Sequence, residues 1–462
     1  MKLIKRIKSF FRELIDTLNR EGSFTRNFML MASGTAVIVV IQFLFTPVLA
    51  RIYSPTAYGT FSIYNALVLN LSIAGGLGLS SALMLPKSKR ELIDLLRLCF
   101  LATTVICLLI TLILITNYSW IMRFMEIHSM GYLIFLIPVM ALVHGYTQIL
   151  SAWYIKSGDF KTGPRIRIGN NIVSRVLSII YGIFVSQTWV GLLSGDLLAR
   201  FYSLALFSRR NFVRFVRVLF QYRWINRSLA LLTKFREFPL YTFPAQWMGV
   251  WSGQIPIYLT AFYFSKEHVG LLSFAVSMIN LPIALIGYST HTVFYQRIAA
   301  IGANNIREIG KVTEKVLTKL YYLSAIPFSL IIVFGDSIFI FVLGEQWVGA
   351  GKIAGFLGLY YFLFLIYSAI SSIFTVLKAQ KKTLLVQLAM IVVGLLSFVI
   401  GGEQGNVDLT FLIYGVSSGI IYLIAIIILL KTLQIPWFTS FFVKFLLFLL
   451  TILGLHLIKI MI

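Results

Sequence analysis

Long apolar runs, separated by short polar segments, recur along the whole chain. The runs fall at residues 28–50, 60–85, 92–116, 131–155, 167–187, 189–207, 241–264, 269–295, 318–343, 353–377, 384–400 and 409–430. An α-helix of about 20 apolar residues crosses roughly 30 Å of hydrocarbon and satisfies its own backbone hydrogen bonds. The pattern therefore predicts an all-α polytopic membrane protein with twelve transmembrane helices.

The two ends of the chain carry further apolar patterns. Residues 441–462 form a run long enough for a thirteenth span, and the alternative is a helix at the membrane interface. Near the start, seven Lys or Arg accompany apolar residues at the spacing of one helical face: Leu3, Ile7, Phe10, Leu14 and Leu18. This spacing predicts a basic amphipathic segment over residues 1–27. A cleaved signal peptide is disfavoured, because the next apolar run has full spanning length.

The composition excludes a soluble globular protein. Of the 462 residues, 59% are hydrophobic and 12% are charged, whereas soluble domains are about half apolar and about a quarter charged. The net charge is +24, and the charged residues fall between the apolar runs. An excess of cations in such loops indicates the orientation of a membrane protein, so we expect no nucleic-acid partner. Cys99 and Cys107 are eight residues apart on one predicted helix. Their Cα atoms are then about 12 Å apart, too far for a disulfide.

The distribution of Lys and Arg predicts the orientation. With the N-terminus in the cytoplasm, inside-facing segments hold 34 of the 40 Lys and Arg. Outside loops then hold four, which are Arg51, Arg123, Lys266 and Lys352, and the spans hold Arg175 and Lys459. Cytoplasmic loops of membrane proteins carry such an excess of cations.

A short pattern occurs twice, 211 residues apart. ARIYSPTAYG begins at Ala50 and AFYFSKEHVG begins at Ala261, and the matching pairs are Ala50 and Ala261, Ser54 and Ser265, Gly59 and Gly270, and Ser62 and Ser273. A repeat in the same sense predicts two six-helix lobes around a central cavity. We place the lobes at 28–207 and 241–430, with a basic cytoplasmic connector at 208–240 and a C-terminal apolar segment at 431–462. The connector either lies on an anionic inner leaflet or gathers an anionic lipid-linked substrate.

Five segments carry a family resemblance: TPVLARIYSPTAYGTFSIY (46–64), SSALMLPKSKRE (80–91), FPLYTFPAQWMGVWSGQIPIYL (238–259), LPIALIGYSTHTVFYQR (281–297) and LGEQWVGAG (343–351). They resemble the oligosaccharide flippases of the polysaccharide transporter family, within the multidrug/oligosaccharidyl-lipid/polysaccharide exporter superfamily. The resemblance implies a flippase of the bacterial inner (plasma) membrane that works by alternating access. Its substrate would be an undecaprenyl-diphosphate-linked oligosaccharide repeat unit for O-antigen, capsule or exopolysaccharide. The implied partners are this polyprenyl-diphosphate-linked oligosaccharide, membrane lipids, a polysaccharide polymerase and a chain-length regulator.

Translocation requires no covalent chemistry, and the sequence shows none of the common catalytic motifs. It lacks a Walker A pattern, HExxH, GxSxG and a Cys or His cluster at metal spacing. We therefore expect no enzyme activity, metal or cofactor, with coupling to an H⁺ or Na⁺ gradient left open. The alternative functions are a lipid II flippase or a drug/cation antiporter of the same superfamily. A membrane polymerase is disfavoured, because every predicted outside loop is short.

Ionisable residues within spans are costly and often face a cavity or a partner. Arg175 is a candidate for the substrate diphosphate, against a structural partner or snorkelling. Asp196 is a candidate for ion coupling, although Arg200 at i+4 offers a neutralising pair. Asp336 is either a cation site or close to the outer interface, and His291 is a further coupling candidate.

Polar side chains on helices one, two, seven and eight are candidates for sugar contacts, against the alternative of bonds between helices. They are Gln42, Asn65, Asn70, Gln246, Gln254, Asn280 and Tyr288, and we expect about half to face the cavity. Trp247 and Trp251, at i and i+4, either stack on sugar rings or anchor the helix at the interface. Arg51, whose counterpart in the repeat is Phe262, either anchors a helix end or attracts a diphosphate or sugar acid at the outer rim.

Overall fold

The computed structural model describes residues 24–86, 88–118, 128–209, 225–302, 304–377 and 379–461. Within these ranges the secondary structure is helical, without a strand. The predicted all-α fold is confirmed. Most of the predicted N-terminal segment, and residues 210–224 of the connector, lie outside the described residues.

Six long helices form the first half of the chain. They are α1 (Phe24–Ile52), α2 (Pro55–Gly76), α3 (Lys89–Thr116), α4 (Leu136–Lys156), α5 (Thr162–Phe184) and α6 (Trp189–Arg209). Short helices occupy Leu79–Ala82 and His128–Phe135, and Ile225–Lys234 lies before the second half.

Seven long helices form the second half: α7 (Phe243–Tyr263), α8 (Lys266–Ile301), α9 (Ile306–Leu343), α10 (Val348–Ile370), α11 (Gln380–Glu403), α12 (Val407–Thr432) and α13 (Val443–Met461). A π-helical turn, Ile283–Tyr288, interrupts α8, and another, Phe438–Phe442, precedes α13. Each predicted apolar run overlaps one of the long helices.

In the described part of the chain, ten helices are long and apolar enough to cross a membrane by length and composition. The three long helices outside that set are α2, α5 and α7, which have spanning length but carry more polar residues. These three helices also line the central cavity described below. The number of membrane crossings therefore stays a prediction.

The 211-residue repeat begins with equivalent helix starts. The Ser54 side chain accepts a hydrogen bond from the Ala57 amide at the start of α2, and Ser265 accepts one from His268 at the start of α8. Serine at this position satisfies an amide that has no partner within the helix. The matching serines therefore fix two equivalent helix starts.

The two halves of the chain meet where α2 and α8 cross at Gly59 and Gly270. A Cβ added to Gly59 would lie 1.6 Å from the carbonyl oxygen of Lys266, and one added to Gly270 would lie 1.8 Å from that of Pro55. The contact is reciprocal, and only glycine permits backbones this close. We call this contact the glycine crossing.

Beside the glycine crossing, the segment before α10 caps the end of α1. The carbonyl oxygen of Ala50 accepts hydrogen bonds from Trp347 Nε1 at 2.8 Å and Gln346 Nε2 at 2.6 Å. The Trp347 ring is fully buried against Phe274 and Tyr58, with centroids 4.0 and 5.5 Å away. The LGEQWVGAG segment thus satisfies a carbonyl in the last turn of a helix from the other half.

The two halves also meet at the opposite end of α2. Gly78 has φ of +68°, and a Cβ there would lie 3.0 Å from the Phe243 amide nitrogen. Gln246 Nε2 donates to Ser81 Oγ across the same contact at 3.2 Å. The halves therefore touch at both ends of α2, and the space between these contacts is the central cavity.

The C-terminal helix α13 lies alongside α9. Ser440 bonds to Glu314, Lys444 Nζ donates to Thr318 at 2.8 Å, and Lys459 Nζ donates to the Val333 carbonyl at 2.7 Å. Each pair is 126 residues apart, so the two helices run parallel and level. Because α9 is a candidate span, this geometry favours the spanning alternative for the tail over the interfacial one.

Candidate functional site

A cavity of about 790 Å³ lies between the two halves of the chain. Helices α1, α2 and α5 line it from the first half, and α7, α8, α10, α11 and α12 line it from the second. It brings together five of the residues predicted from the sequence: Gln42, Asn65, Arg175, Gln254 and Asn280.

Packing between α5 and α6 turns Arg175 toward this cavity. Asn170 Nδ2 donates to the Ala199 carbonyl at 2.7 Å, and a Cβ on Gly195 would lie 2.5 Å from the Ser174 carbonyl and 2.2 Å from Ser178 Oγ. Residues 170, 174 and 178 therefore face α6. Arg175 is about 100° further round the helix and faces the cavity.

Arg175 gives the central cavity a positive charge. Among the described residues that line the cavity it is the one charged side chain, and no described carboxylate forms an ion pair with it. A half-buried guanidinium without a carboxylate retains donors for a ligand, and its planar fork suits phosphate oxygens. The charge of the cavity thus suits an anionic group better than a cationic one.

Hydroxyl and amide groups surround the charge. Besides the predicted residues, sequence reasoning missed Thr46, Ser62, Ser252, Ser273, Ser277 and Gln387, which also line the cavity. Ser62 and Ser273 are a matched pair of the repeat, one from each half. The Ser273 hydroxyl is buried and has no hydrogen-bond partner among the described residues. A buried polar atom in this state is available to a polar ligand.

Aromatic rings form much of the remaining wall. They are Tyr58, Phe61, Phe274, Tyr360, Tyr361, Phe364, Tyr414 and Tyr422. On the α10 and α12 side, the Tyr360 and Tyr422 rings stack with centroids 5.7 Å apart. Aromatic faces combined with hydroxyls and amides suit a ligand that has both C–H surface and many hydroxyl groups, such as a sugar.

A second, polar pocket of about 540 Å³ lies within the first half, between α4, α5, α6 and the short helix Leu79–Ala82. It contains the predicted pair, with Arg200 Nε 2.7 Å from Asp196 Oδ2. Arg200 also reaches His144 Nδ1 at 2.9 Å and Asn65 Oδ1 at 2.9 Å. Because Asn65 lines the central cavity, Arg200 links the two spaces.

Four of the predicted sugar-contact residues lie outside both cavities. Asn70 is buried and donates to Tyr258 Oη at 2.8 Å, a bond between α2 and α7. Gln246 bonds to Ser81, as described above. Trp247 and Trp251 form an edge-to-face pair with centroids 5.8 Å apart, and both are exposed. These contacts match the alternative of helix packing or interface anchoring.

The remaining candidates whose side chains the structure describes are also placed away from the cavities. Arg51 is exposed at the end of α1. His291 stacks on Tyr295 with ring centroids 6.3 Å apart. Asp336 pairs with Lys459 of α13 at 2.9 Å. The side chain of Tyr288 lies outside the described residues, and no group of three metal-ligating side chains occurs in the part of the chain that the structure describes.

Comparison with solved structures shows a transporter fold. The chain is similar to the lipid II flippase MurJ in its inward closed conformation, with a TM-score of 0.73, 15% identity, and 93% of this chain and 92% of that one covered. It is also similar to an inward-facing multidrug resistance MATE family transporter of the MOP superfamily, with a TM-score of 0.65 and 14% identity over 87% of this chain and 99% of the other. An outward-facing multidrug resistance MATE family transporter of the MOP superfamily is similar with a TM-score of 0.60 and 14% identity, and the match covers 88% of this chain and 95% of the other.

The family match comes from the sequence. Among curated proteins, no relative matches the chain. A family model described as polysaccharide biosynthesis protein matches residues 48–352, which include α2 to α9 and the segment that caps α1. Because this match covers well over half of the sequence, the chain belongs to the polysaccharide biosynthesis protein family.

Proposed function

We propose that this protein moves a polyprenyl-diphosphate-linked oligosaccharide from the inner to the outer leaflet of the bacterial plasma membrane. The observation that carries the proposal is the lining of the central cavity. A guanidinium without a carboxylate partner, a set of hydroxyls and amides, and an aromatic wall lie together between two halves of a transporter fold. The family of the chain supports a role in the biosynthesis of a polysaccharide.

Each part of such a substrate has a counterpart in the cavity. The diphosphate pairs with Arg175, which can donate two parallel hydrogen bonds to phosphate oxygens. Sugar hydroxyls bond to Asn65, Ser273 and Gln254, which replace the water lost on entering the protein. Without such partners, each buried hydroxyl would cost about 1–3 kcal/mol. The polyprenyl tail is apolar and stays in the bilayer.

Alternating access requires that contacts at the two ends of the cavity open in turn. The glycine crossing closes one end, and the contact of Gly78 and Ser81 with α7 lies at the other. The excess of Lys and Arg in inside-facing segments assigns the glycine crossing to the outer side. In this proposal, the glycine crossing parts when the headgroup leaves toward the outer leaflet.

The lining disfavours a cation exporter. The described residues of the central cavity offer a cation no carboxylate, and Arg175 repels it. Lipid II is the second candidate substrate, because the chain has the fold of the lipid II flippase MurJ. The proposal requires no covalent step, so the protein acts as a transporter and not as an enzyme.

Binding to the purified protein tests the proposal. The probe is a polyprenyl-diphosphate oligosaccharide, compared with lipid II, with the matching monophosphate and with a cationic drug. We expect the diphosphate oligosaccharide to bind best, and Arg175→Gln to weaken it about 10-fold to 100-fold, since a hydrogen bond to a charged group contributes about 1.5–3 kcal/mol. Arg165→Gln, on an exposed residue of the same helix, should leave it unchanged. Tighter binding of the cationic drug, or equal losses in both variants, would refute the proposal.

A further inference from the structure

The second pocket contains a histidine that sequence reasoning did not single out. His144 is half-buried on α4. Of the histidines whose side chains the structure describes, which are 144, 268, 291 and 456, it alone lines one of the two cavities described above. The pocket around it is polar, with Ser81, Thr147 and Gln148 in its wall, and it is large enough for water. A proton can therefore reach the imidazole along water in this pocket.

Hydrogen bonding fixes the protonation state of His144 in this conformation. A guanidinium has donors only, so Nδ1, 2.9 Å from Arg200 Nη1, must accept and carries no proton. The ring is then neutral with its proton on Nε2, which lies 2.8 Å from the side-chain amide of Gln148. That amide accepts the bond through its oxygen, after a half-turn if necessary.

Protonation of Nδ1 is incompatible with this arrangement. It would place a second cation and a second donor opposite the guanidinium, so the His144–Arg200 contact must break. The same planar guanidinium donates to Asn65 through Nη2 and to Asp196 through Nε. Because the fork is rigid, a movement that releases His144 also disturbs the bond to Asn65.

The charged and titratable groups near His144 leave the added proton without a free counter-charge. Helix α6 contributes Asp196 and Arg200, α5 contributes Arg167 at the pocket wall, and α2 contributes Tyr64, which lies near both α6 residues. Helix α3 and the short helix Leu79–Ala82 bring no charged side chain to the described lining. Asp196 is the one carboxylate, and Arg200 occupies it. A protonated His144 must therefore compete with Arg200 for Asp196.

We propose that His144 is the proton-binding site of this chain, and that its protonation displaces Arg200 from Asn65 and so changes the polar lining of the central cavity. The proton comes from water in the second pocket and forms an N–H bond at Nδ1. No covalent bond of the protein breaks, and Arg200 gives up its hydrogen bonds to His144 and Asn65. Protonation of His144 in the second pocket is thus linked to ligand binding in the central cavity, and each changes the affinity of the other by the same factor. This inference deepens the proposed function, on which only its second test rests.

The first test does not depend on transport. The purified protein, labelled with ¹⁵N at histidine and asparagine, is titrated by NMR, with His144→Gln and Asn65→Asp used for assignment. We expect a neutral His144 with its proton on Nε2, and a change in the Asn65 side-chain signal that follows the same titration. That change should vanish in His144→Gln and persist in His291→Gln, the matched control outside both cavities. A His144 that titrates while Asn65 stays unchanged, or that does not titrate over the stable pH range, would overturn the inference.

The second test uses proteoliposomes with a polyprenyl-diphosphate oligosaccharide and an imposed pH gradient. With one coupled proton, the equilibrium ratio of substrate between leaflets shifts about tenfold per pH unit. Wild type and His291→Gln should show this shift, and His144→Gln should show an even distribution. A full shift in His144→Gln would contradict the inference. Absence of flipping in every variant would count against the proposed function alone, and the NMR titration would then decide the inference.

Discussion

Replacing Gly59 by alanine tests whether the glycine crossing closes one end of the cavity. The new Cβ would lie 1.6 Å from the Lys266 carbonyl oxygen, whereas Cβ atoms keep at least 3.0 Å from such atoms. Helices α2 and α8 must therefore separate by about 1.4 Å, since the obstacle is backbone that no rotamer change can move. Overpacking of this kind costs about 1–3 kcal/mol. A cost of about 2 kcal/mol shifts the closed-to-open ratio roughly thirtyfold.

Cysteine labelling measures this shift. Ser62→Cys places a thiol in the central cavity, and the two native cysteines are buried. In purified protein, Gly59→Ala should raise the rate of modification by a hydrophilic maleimide at least tenfold. Gly76→Ala is the matched control on the same helix, because a Cβ there meets nothing within 4 Å. Equal labelling in Gly59→Ala and the parent, or an equal rise in Gly76→Ala, would refute the closure argument.

The reciprocal contact between Gly59 and Gly270 leads to a second prediction for the same labelling experiment. Gly270→Ala should act like Gly59→Ala, because its Cβ would lie 1.8 Å from the Pro55 carbonyl oxygen. One separation of the helices relieves both clashes. The double variant should therefore raise labelling little more than either single variant, whereas independent sites would multiply their effects.

Substitutions at Arg175, at Trp347 and in the Lys459–Asp336 pair also have expected outcomes. In a flipping assay, Arg175→Lys should retain part of the wild-type rate and Arg175→Gln little of it, because lysine keeps the charge but loses the bidentate fork; equal rates in the two would contradict the phosphate role. Trp347→Phe removes one of the two donors to the Ala50 carbonyl, while Gln346 remains, and should lower stability in thermal melting by about 1 kcal/mol; an unchanged melting temperature would argue against the contribution of Trp347 to the cap. Lys459→Met should lower it by about 1–2 kcal/mol, since Asp336 is left partly buried without its partner. Adding Asp336→Asn should recover most of that loss, and no recovery would argue against the pair.

Periodicity and the repeat predicted the architecture well, for physical reasons. Spanning helices require long apolar runs, so they can be predicted from the local sequence. The matching residues of the repeat proved to mark helix starts at Ser54 and Ser265 and the crossing at Gly59 and Gly270. The path of the tail could not be read locally, because its contacts with α9 join residues 126 positions apart.

The candidate site was predicted in part, because a helix shows only one face to a cavity. Asn65 and Asn70 are five residues apart, or about 140° around α2, so they cannot both face the same space. Gln246 and Gln254 lie closer to the same face of α7. Gln246, however, is about two helical turns from Gln254 along the helix, and there it contacts Ser81 instead of the cavity. Helix phase relative to a neighbour depends on packing, which the sequence does not state.

The missed residues share another cause. Tyr360, Tyr414 and Tyr422 lie in the apolar runs of α10 and α12, where aromatic residues look like ordinary membrane or core positions. His144 lies in a predicted span among other polar residues, Thr147 and Gln148, and its role depends on a contact with Arg200, 56 residues later. A local sequence pattern cannot predict the contact between His144 and Arg200.

The flipping reaction itself tests the central claim most directly. Proteoliposomes carry a polyprenyl-diphosphate oligosaccharide with a fluorescent headgroup, and a membrane-impermeant reductant bleaches the probe in the outer leaflet. With wild-type protein and with Arg165→Gln, we expect bleaching to continue beyond the outer-leaflet fraction, and Arg175→Gln should slow this second phase about 10-fold to 100-fold. Bleaching that stops at the outer-leaflet fraction with wild-type protein, as in protein-free vesicles, would contradict the account.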